Sequence, residues 1–218
     1  MSGQTLAEAV SCPVPARSLR RISTSELRRR LWHMSPGILP FVFAVIPHKD
    51  PLSLDARAIM VSVAAIIAFS LLRDARNISR TRDENLRSNV LGYLIPVVGL
   101  LVLFPATPEL GMTLLAVLAF GDGSATVGGL LARGPSLPWN RDKTWAGLIS
   151  FLVFAFPLAL LAFCANASPA PDLTHAVALT IVAVVAGAIA ETLPLRINDN
   201  VSVGSAGTVA ILSMHLMA

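Results

Sequence analysis

Charge is scarce in this chain: only 14% of its 218 residues are Asp, Glu, Lys or Arg, while 54% are hydrophobic. That balance excludes an ordinary soluble domain and reads as a polytopic membrane protein. Cysteine is scarce as well. Cys12 lies in a polar stretch and Cys164 in an apolar run. No Cys-x-x-Cys spacing occurs, so neither a thiolate metal site nor a redox pair is expected, and both thiols should be free. An internal repeat is also missing. No signal peptide is expected, because the arginines come late and no small-residue cleavage site follows the first apolar run. The formal net charge is +4. The basic residues nevertheless cluster beside apolar segments, as in cytoplasmic loops, so nucleic acid is not an expected partner.

What the chain has in plenty is apolar runs. Seven fall at about 34–47, 58–72, 90–104, 110–131, 145–164, 175–193 and 201–216. Several are shorter than the ~20 residues that span a bilayer comfortably, so flanking residues complete them or they end in polar cavities. The expected fold is all-α: a polytopic bundle of about seven transmembrane helices. Residues 1–24 read as a mobile polar tail, and 25–218 as one membrane domain. With seven passes, every Lys and Arg except Lys49 and Arg57 falls on one side. The positive-inside rule then puts the N-terminus in the cytoplasm.

Three polar clusters interrupt this pattern, and the assigned topology places all of them on the cytoplasmic side. The first is the helix entry Ser23-Thr-Ser-Glu26, continued by Arg28, Arg29, Arg30, Trp32 and His33. Arg29 or Arg30 can share a helix face with His33. The cluster reads either as a positive-inside anchor with an interfacial histidine or as a phosphate-contacting group. The second runs from Gly121 to Gly147. It holds Asp122, Gly123, Gly128, Gly129, Lys143 and Thr144 between two apolar runs. A charged residue at bilayer depth costs roughly 2.5–3.5 kcal/mol, which makes Asp122 a site candidate. The glycines would let backbone N–H groups approach an anion. A carboxylate for a metal, glycines for phosphate oxygens and a lysine for charge are the parts of a nucleotide-dependent phosphoryl transfer. A polar loop joining two membrane helices is the plainer reading. The third cluster is Glu191-Thr-Leu-Pro194 with Asn198, Asp199 and Asn200. Pro194 ends one helix, and an Asp or Asn opens the next as a cap. An acid such as Glu191 beside the bilayer is costly without a partner.

Together these motifs resemble a family. Arg29-Arg-Leu-Trp-His33 is similar to the basic first helix of the membrane lipid kinases that include phytol kinase, dolichol kinase and CTP-dependent diacylglycerol kinase, relatives of the cytidylyltransferase group. Gly121-Asp-Gly-Ser-Ala125, then Leu137-Pro-Trp-Asn-Arg-Asp-Lys-Thr-Trp-Ala-Gly147, resembles the phytol kinase pattern most closely. Glu191-Thr-Leu-Pro194 and Asn198-Asp-Asn-Val-Ser202 resemble the family's third motif. The likeness covers roughly residues 25–216. Two positions depart from it: Thr126 stands where the family often has Asp, and Leu130 where it often has Arg, a loss that Arg133 would make good. The Ser-x-x-Lys-Arg…Asp motif of phosphatidate cytidylyltransferases is absent.

The resemblance implies an integral-membrane kinase that moves the γ-phosphate of CTP to a lipid alcohol. An isoprenoid alcohol such as phytol or a polyprenol comes first and diacylglycerol second. The residues themselves do not separate CTP from ATP. Asp122, with Asp199 or Glu191, would hold Mg²⁺. Lys143, with Arg29 or Arg30, would neutralise charge on the transferred group. Gly121, Gly123 and Gly129 would cradle phosphates, and Asn140, Thr144, Gly147 and Asn200 would join them in binding the nucleotide. Glu191 or His33 would accept the alcohol proton. A bacterial inner membrane is the expected location, with the site facing the cytoplasm. The rival from another class is a small ion-coupled transporter, whose intramembrane acids would bind cations.

Overall fold

The computed structural model describes residues 24–78, 86–132 and 134–217. The proposed tail up to residue 23, residues 79–85 between two of the expected apolar runs, and Arg133 lie outside the described residues, as does the side chain of Arg29. Among the described residues the chain is helical, with a lone bridge between Ser136 and Thr144 as its single β feature.

Helix α1 spans Thr24–Met34. A 3₁₀ turn at Ser35–Ile38 and the short α2, Leu39–Ala44, follow. Pro36 and Pro40 sit in the first turns of these two pieces. Proline fits a first turn because its missing N–H is unneeded there, so each one restarts the helix. Then come α3, Leu54–Ile78, and α4, Leu86–Leu103. Helices α5, Pro108–Ala116, and α6, Gly123–Ala132, form one rod through a π-helical stretch, Val117–Asp122. The last three are α7, Trp145–Asn166, α8, Leu173–Thr192, and α9, Asp199–Met217. Six of the seven expected apolar runs lie in helix to within a residue; the first, 34–47, is divided among the end of α1, the 3₁₀ turn and the short α2, and leaves helix after Ala44.

Three of these stretches are long and apolar enough to cross a membrane: Pro108–Ala132, Trp145–Asn166 and Leu173–Thr192. At 1.5 Å per residue, the 20-residue α8 reaches about 30 Å, the thickness of a hydrocarbon core. By length and composition, these three helices suggest membrane integration. The outward sides of α7 and α8 agree with it, exposing Val153, Phe154 and Leu161, and Ile181 and Ile189.

The α5–π–α6 rod is the centre of the bundle. Leu110, Leu114 and Leu118 are completely buried in it, packed with Phe151 of α7, Leu179 of α8 and Ile211 of α9. A helix that is apolar all round belongs inside. Helices α4 and α9 cross at glycine. Pro96 cannot donate to the Gly92 carbonyl one turn back, and Gly204 of α9 packs there. A Cβ on Gly204 would lie 2.8 Å from Gly92 O, and one on Gly92 would lie 2.8 Å from Val201 N. This backbone contact sets Asn200 and Val201, at the start of α9, against Gly92.

The connections gather at two ends. At one, His48 Nε2 bonds Asn166 O at 3.1 Å, Ser168 N donates to Asp50 Oδ2, and Leu52 N donates to Pro105 O. At the other end the 134–144 connection bonds the end of α8 and the start of α9. The described parts of all three polar clusters seen in the sequence lie at this second end.

Of the two readings of the second cluster, the loop does not hold at its start: Gly121, Asp122 and Gly123 lie within the expected run 110–131 and are helical, helix continues to Ala132, and the polar connection follows it. No described glycine has a positive φ. The glycines serve packing instead. A Cβ on Gly121 would collide with the Phe151 ring, and one on Gly123 with the Met34 side chain. Small residues let helices approach closely where a membrane offers no hydrophobic drive between them. Gly121→Ala is therefore expected to destabilise the protein by about 1–3 kcal/mol through overpacking. Its thermal midpoint in detergent should fall, and Phe151→Leu in the same chain should restore part of the loss.

Candidate active site

The site is built from buried charges that had to find partners. Asp122 closes the π stretch and is only 8% exposed. Its Oδ2 lies 2.6 Å from His33 Nε2 on α1. Tyr93 joins them from α4: its hydroxyl is 3.1 Å from the same Nε2 and donates to the Leu118 carbonyl at 3.1 Å. The His33 and Tyr93 rings meet edge to face, with centroids 5.2 Å apart.

The second group centres on Lys143. Its Nζ donates to Glu191 Oε1 at 2.5 Å and to Asp199 Oδ2 at 2.7 Å. The 134–144 connection is folded to present it. Ser136 pairs with Thr144, Leu137 N donates to Lys143 O, and Lys143 N donates to Asn140 O. Asn140 Nδ2 then ties the connection to α8 through Thr192 O at 3.1 Å. Burial works against the lysine's charge, but Glu191 and Asp199 outweigh it and hold the ammonium above its ordinary range. Glu191 is 4% exposed, and its Oε2 is buried without a partner.

Capping separates the roles at the start of α9. Asn198 Oδ1 accepts from Asn200 N at 3.0 Å. Asn198 thus acts as the cap, and the Asp199 carboxylate is left for Lys143. Thr144 likewise caps α7, its Oγ1 accepting from Gly147 N at 3.1 Å.

Both groups line one cavity of about 660 Å³. Its polar end carries Arg30, His33, Asp122, Lys143, Glu191 and Asp199. Its apolar wall comes from α3 and α4, with Ile67, Ala68, Leu94 and Val97 among the lining residues. A charged group and an apolar chain can occupy such a cavity together.

Most residues singled out from the sequence meet here. Thr144, Gly147 and Asn200 line the cavity, as do Thr126 and Leu130, the two departures from the lipid-kinase pattern. Of the three glycines expected to hold phosphate, Gly129 lines the cavity, whereas Gly121 and Gly123 pack into neighbouring helices. Asn140 supports the lysine loop and is not among the lining residues. Asp142 lines the cavity and was not singled out. Tyr93 was missed altogether. The available signal was that it is the single tyrosine of the chain, set inside an apolar run.

Among the described residues, no group of three or more His, Cys, Asp or Glu side chains is gathered closely enough to hold a metal ion. Asp122, Glu191 and Asp199 line one cavity, but Lys143 occupies two of these carboxylates and His33 the third. The donor set itself, hard carboxylates with one orphaned oxygen on Glu191, fits Mg²⁺.

Among the described residues, the fold and site define a helical bundle with three apolar spans and a cavity charged at one end and apolar along its wall. Comparison with known proteins adds a likeness to named enzymes. The chain is 26% identical over 211 residues to phytol kinase 1, chloroplastic, of Arabidopsis thaliana, covering 88% of this chain and 67% of that one. It is 26% identical to probable phytol kinase 1, chloroplastic, of Oryza sativa subsp. japonica, over 88% of this chain and 65% of the relative. With a probable phytol kinase 1, chloroplastic, of Glycine max the identity is 28%, over 90% and 70% respectively. The chain thus spans about two thirds of the length of these relatives. No protein-family model matches it, and no solved structure does. The chain is thus similar over most of its length to proteins named phytol kinase. The names place those relatives in chloroplasts, so the expected bacterial inner membrane gains no support from them.

Proposed function

We propose that this protein is an integral-membrane kinase that transfers the γ-phosphate of a nucleotide, CTP in the first instance, to the hydroxyl of an isoprenoid alcohol such as phytol. The cavity with charged groups at one end and an apolar wall at the other carries this reading, together with the likeness to phytol kinases. Seven passes with the N-terminus and the site in the cytoplasm belong to the same proposal, on the strength of the Lys and Arg distribution.

In the reaction the alcohol oxygen attacks the γ-phosphorus. The bridging bond between the γ-phosphorus and the β-phosphate oxygen breaks, and the nucleoside diphosphate leaves. Lys143 and Arg30 neutralise charge spreading over the transferred group. Glu191 takes the alcohol proton on its unpartnered Oε2; His33, whose Nε2 faces Asp122 Oδ2 at 2.6 Å, is the second candidate. Thr144, Gly147 and Asn200 bind the nucleotide beside the start of α7 and α9. A bound Mg²⁺, held by Asp122 with Glu191 or Asp199, would supply charge neutralisation across the phosphate oxygens. The α3–α4 wall holds the isoprenoid chain, so the alcohol enters sideways from the lipid with its hydroxyl at the polar end.

Detergent-purified protein with Mg²⁺ and CTP or ATP labelled at the γ-phosphate tests this. Phytol, farnesol, a polyprenol and diacylglycerol are offered in parallel, with Asp122→Asn as control. Label is expected in an isoprenoid alcohol, from CTP, and not in the control. Label in diacylglycerol alone would move the substrate class. Release of pyrophosphate instead of CDP would make the protein a cytidylyltransferase, and no nucleotide turnover or binding would leave the transporter.

A further inference from the structure

The proton on His33 has two acceptors and one origin. Asp122 Oδ2 lies 2.6 Å from Nε2, and a carboxylate can only accept. Tyr93 has one proton, donated to Leu118 O at 3.1 Å, so towards Nε2, also 3.1 Å away, it offers a lone pair. The Leu118 carbonyl belongs to the π stretch Val117–Asp122 that also carries Asp122; π insertions often mark functional sites. Three elements are thereby tied at one nitrogen: α1 through His33, α4 through Tyr93, and the central rod through Leu118 and Asp122.

We propose that Tyr93 is a positioning residue for the Asp122 carboxylate: by donating its own proton to Leu118 O and accepting from His33 Nε2, it fixes the Nε2–H tautomer and the ring orientation that hold Asp122 at the polar end of the cavity. Two acceptors on one N–H fix the ring in a way that a single rotatable carboxylate does not. The role in transfer rests on the kinase reading above; the proton arrangement does not.

The full chain in detergent, labelled with ¹⁵N-histidine, reports the His33 tautomer directly, with His33→Gln identifying its signals. The Nε2–H form is expected in the unaltered protein; the Nδ1–H form or an averaged mixture would overturn the proposal. Tyr93→Phe keeps the ring and removes the oxygen. It is expected to shift the His33 Nε2 signal and broaden it by ring motion. It should also lower kcat roughly tenfold, the scale of one hydrogen bond, with the KM for the alcohol nearly unchanged. Unchanged His33 signals would sink the idea whatever the activity. Because the chain has 1 tyrosine, biosynthetic 3-fluorotyrosine alters position 93 alone and weakens its oxygen as an acceptor without a change of fold. The same His33 signal must respond to it, so the outcome stands even where Tyr93→Phe fails to fold. A shifted signal in a protein that transfers no phosphate would leave the positioning role intact and remove the kinase reading.

Discussion

Lys143→Ala is expected to abolish phosphate transfer and to loosen the polar end of the bundle at the same time. Its ammonium is the cation shared by Glu191 and Asp199. Removing it leaves a 4%-exposed glutamate facing another carboxylate. Breaking a buried pair in this way costs about 3–5 kcal/mol when both partners are fully buried. The loss is smaller here, because the Lys143 side chain is 25% exposed and that of Asp199 46%. Losing a charge that faces the transferred phosphate lowers kcat by a factor on the order of 10²–10³. Two measurements separate these effects. The thermal midpoint of Lys143→Ala should fall and should recover in part when Glu191→Gln removes the facing charge. The transfer rate should recover in neither variant. Mg²⁺ alone should raise the midpoint of Lys143→Ala more than that of the unaltered protein, because the vacated carboxylates are then free to bind it. An equal response in both would count against these carboxylates as metal ligands.

The pH dependence has a definite sign. The folded state holds the lysine's pKa above its ordinary 10.5. Its contribution to stability is fully present below that ordinary value and is lost only as pH rises through the higher folded one. No alkaline loss of stability between pH 7 and 9 should trace to Lys143.

Asp122→Asn is expected to cost transfer by roughly 10²–10³-fold, the scale of one preorganised electrostatic group, and to leave the protein in the membrane at its normal level. The substitution preserves shape, and the amide oxygen can still accept from His33 Nε2. Only the charge disappears, at about 1.5–3 kcal/mol for a hydrogen bond to a charged group. Labelled γ-phosphate transfer into the alcohol, set against the amount of protein in membranes, checks both halves. Full activity would remove Asp122 from the mechanism, whereas loss of the protein itself would give it a structural role only.

The two groups differ in how far they could be read in advance. Asp122, Lys143, Glu191 and Asp199 announced themselves as charges beside apolar runs, since a charge near a bilayer needs a reason. Their partners did not. Lys143 meets Glu191 across 48 residues and Asp199 across 56; Tyr93 meets His33 across 60. Hydropathy patterns report how one segment faces its surroundings, not which segment lies opposite. The glycines of Gly121-Asp-Gly123 misled for a related reason. Glycine beside a carboxylate suggests an exposed anion loop, and equally suits a helix pressed against Phe151 and Met34. Only the neighbours distinguish the two.

By itself, the sequence determined that this protein is helical, that apolar runs recur along it, and that three polar clusters share one end. Composition and hydrophobic runs are local properties, and the membrane solvent demands helix wherever they persist. The tertiary structure alone decided which charges pair, that Asn198 and Thr144 are spent on capping, that Gly121 and Gly123 pack instead of facing a ligand, and that Tyr93 belongs to the site. Each of those depends on a contact between distant segments, made by helix crossings such as that of Gly92 and Gly204, whose closeness no single segment encodes.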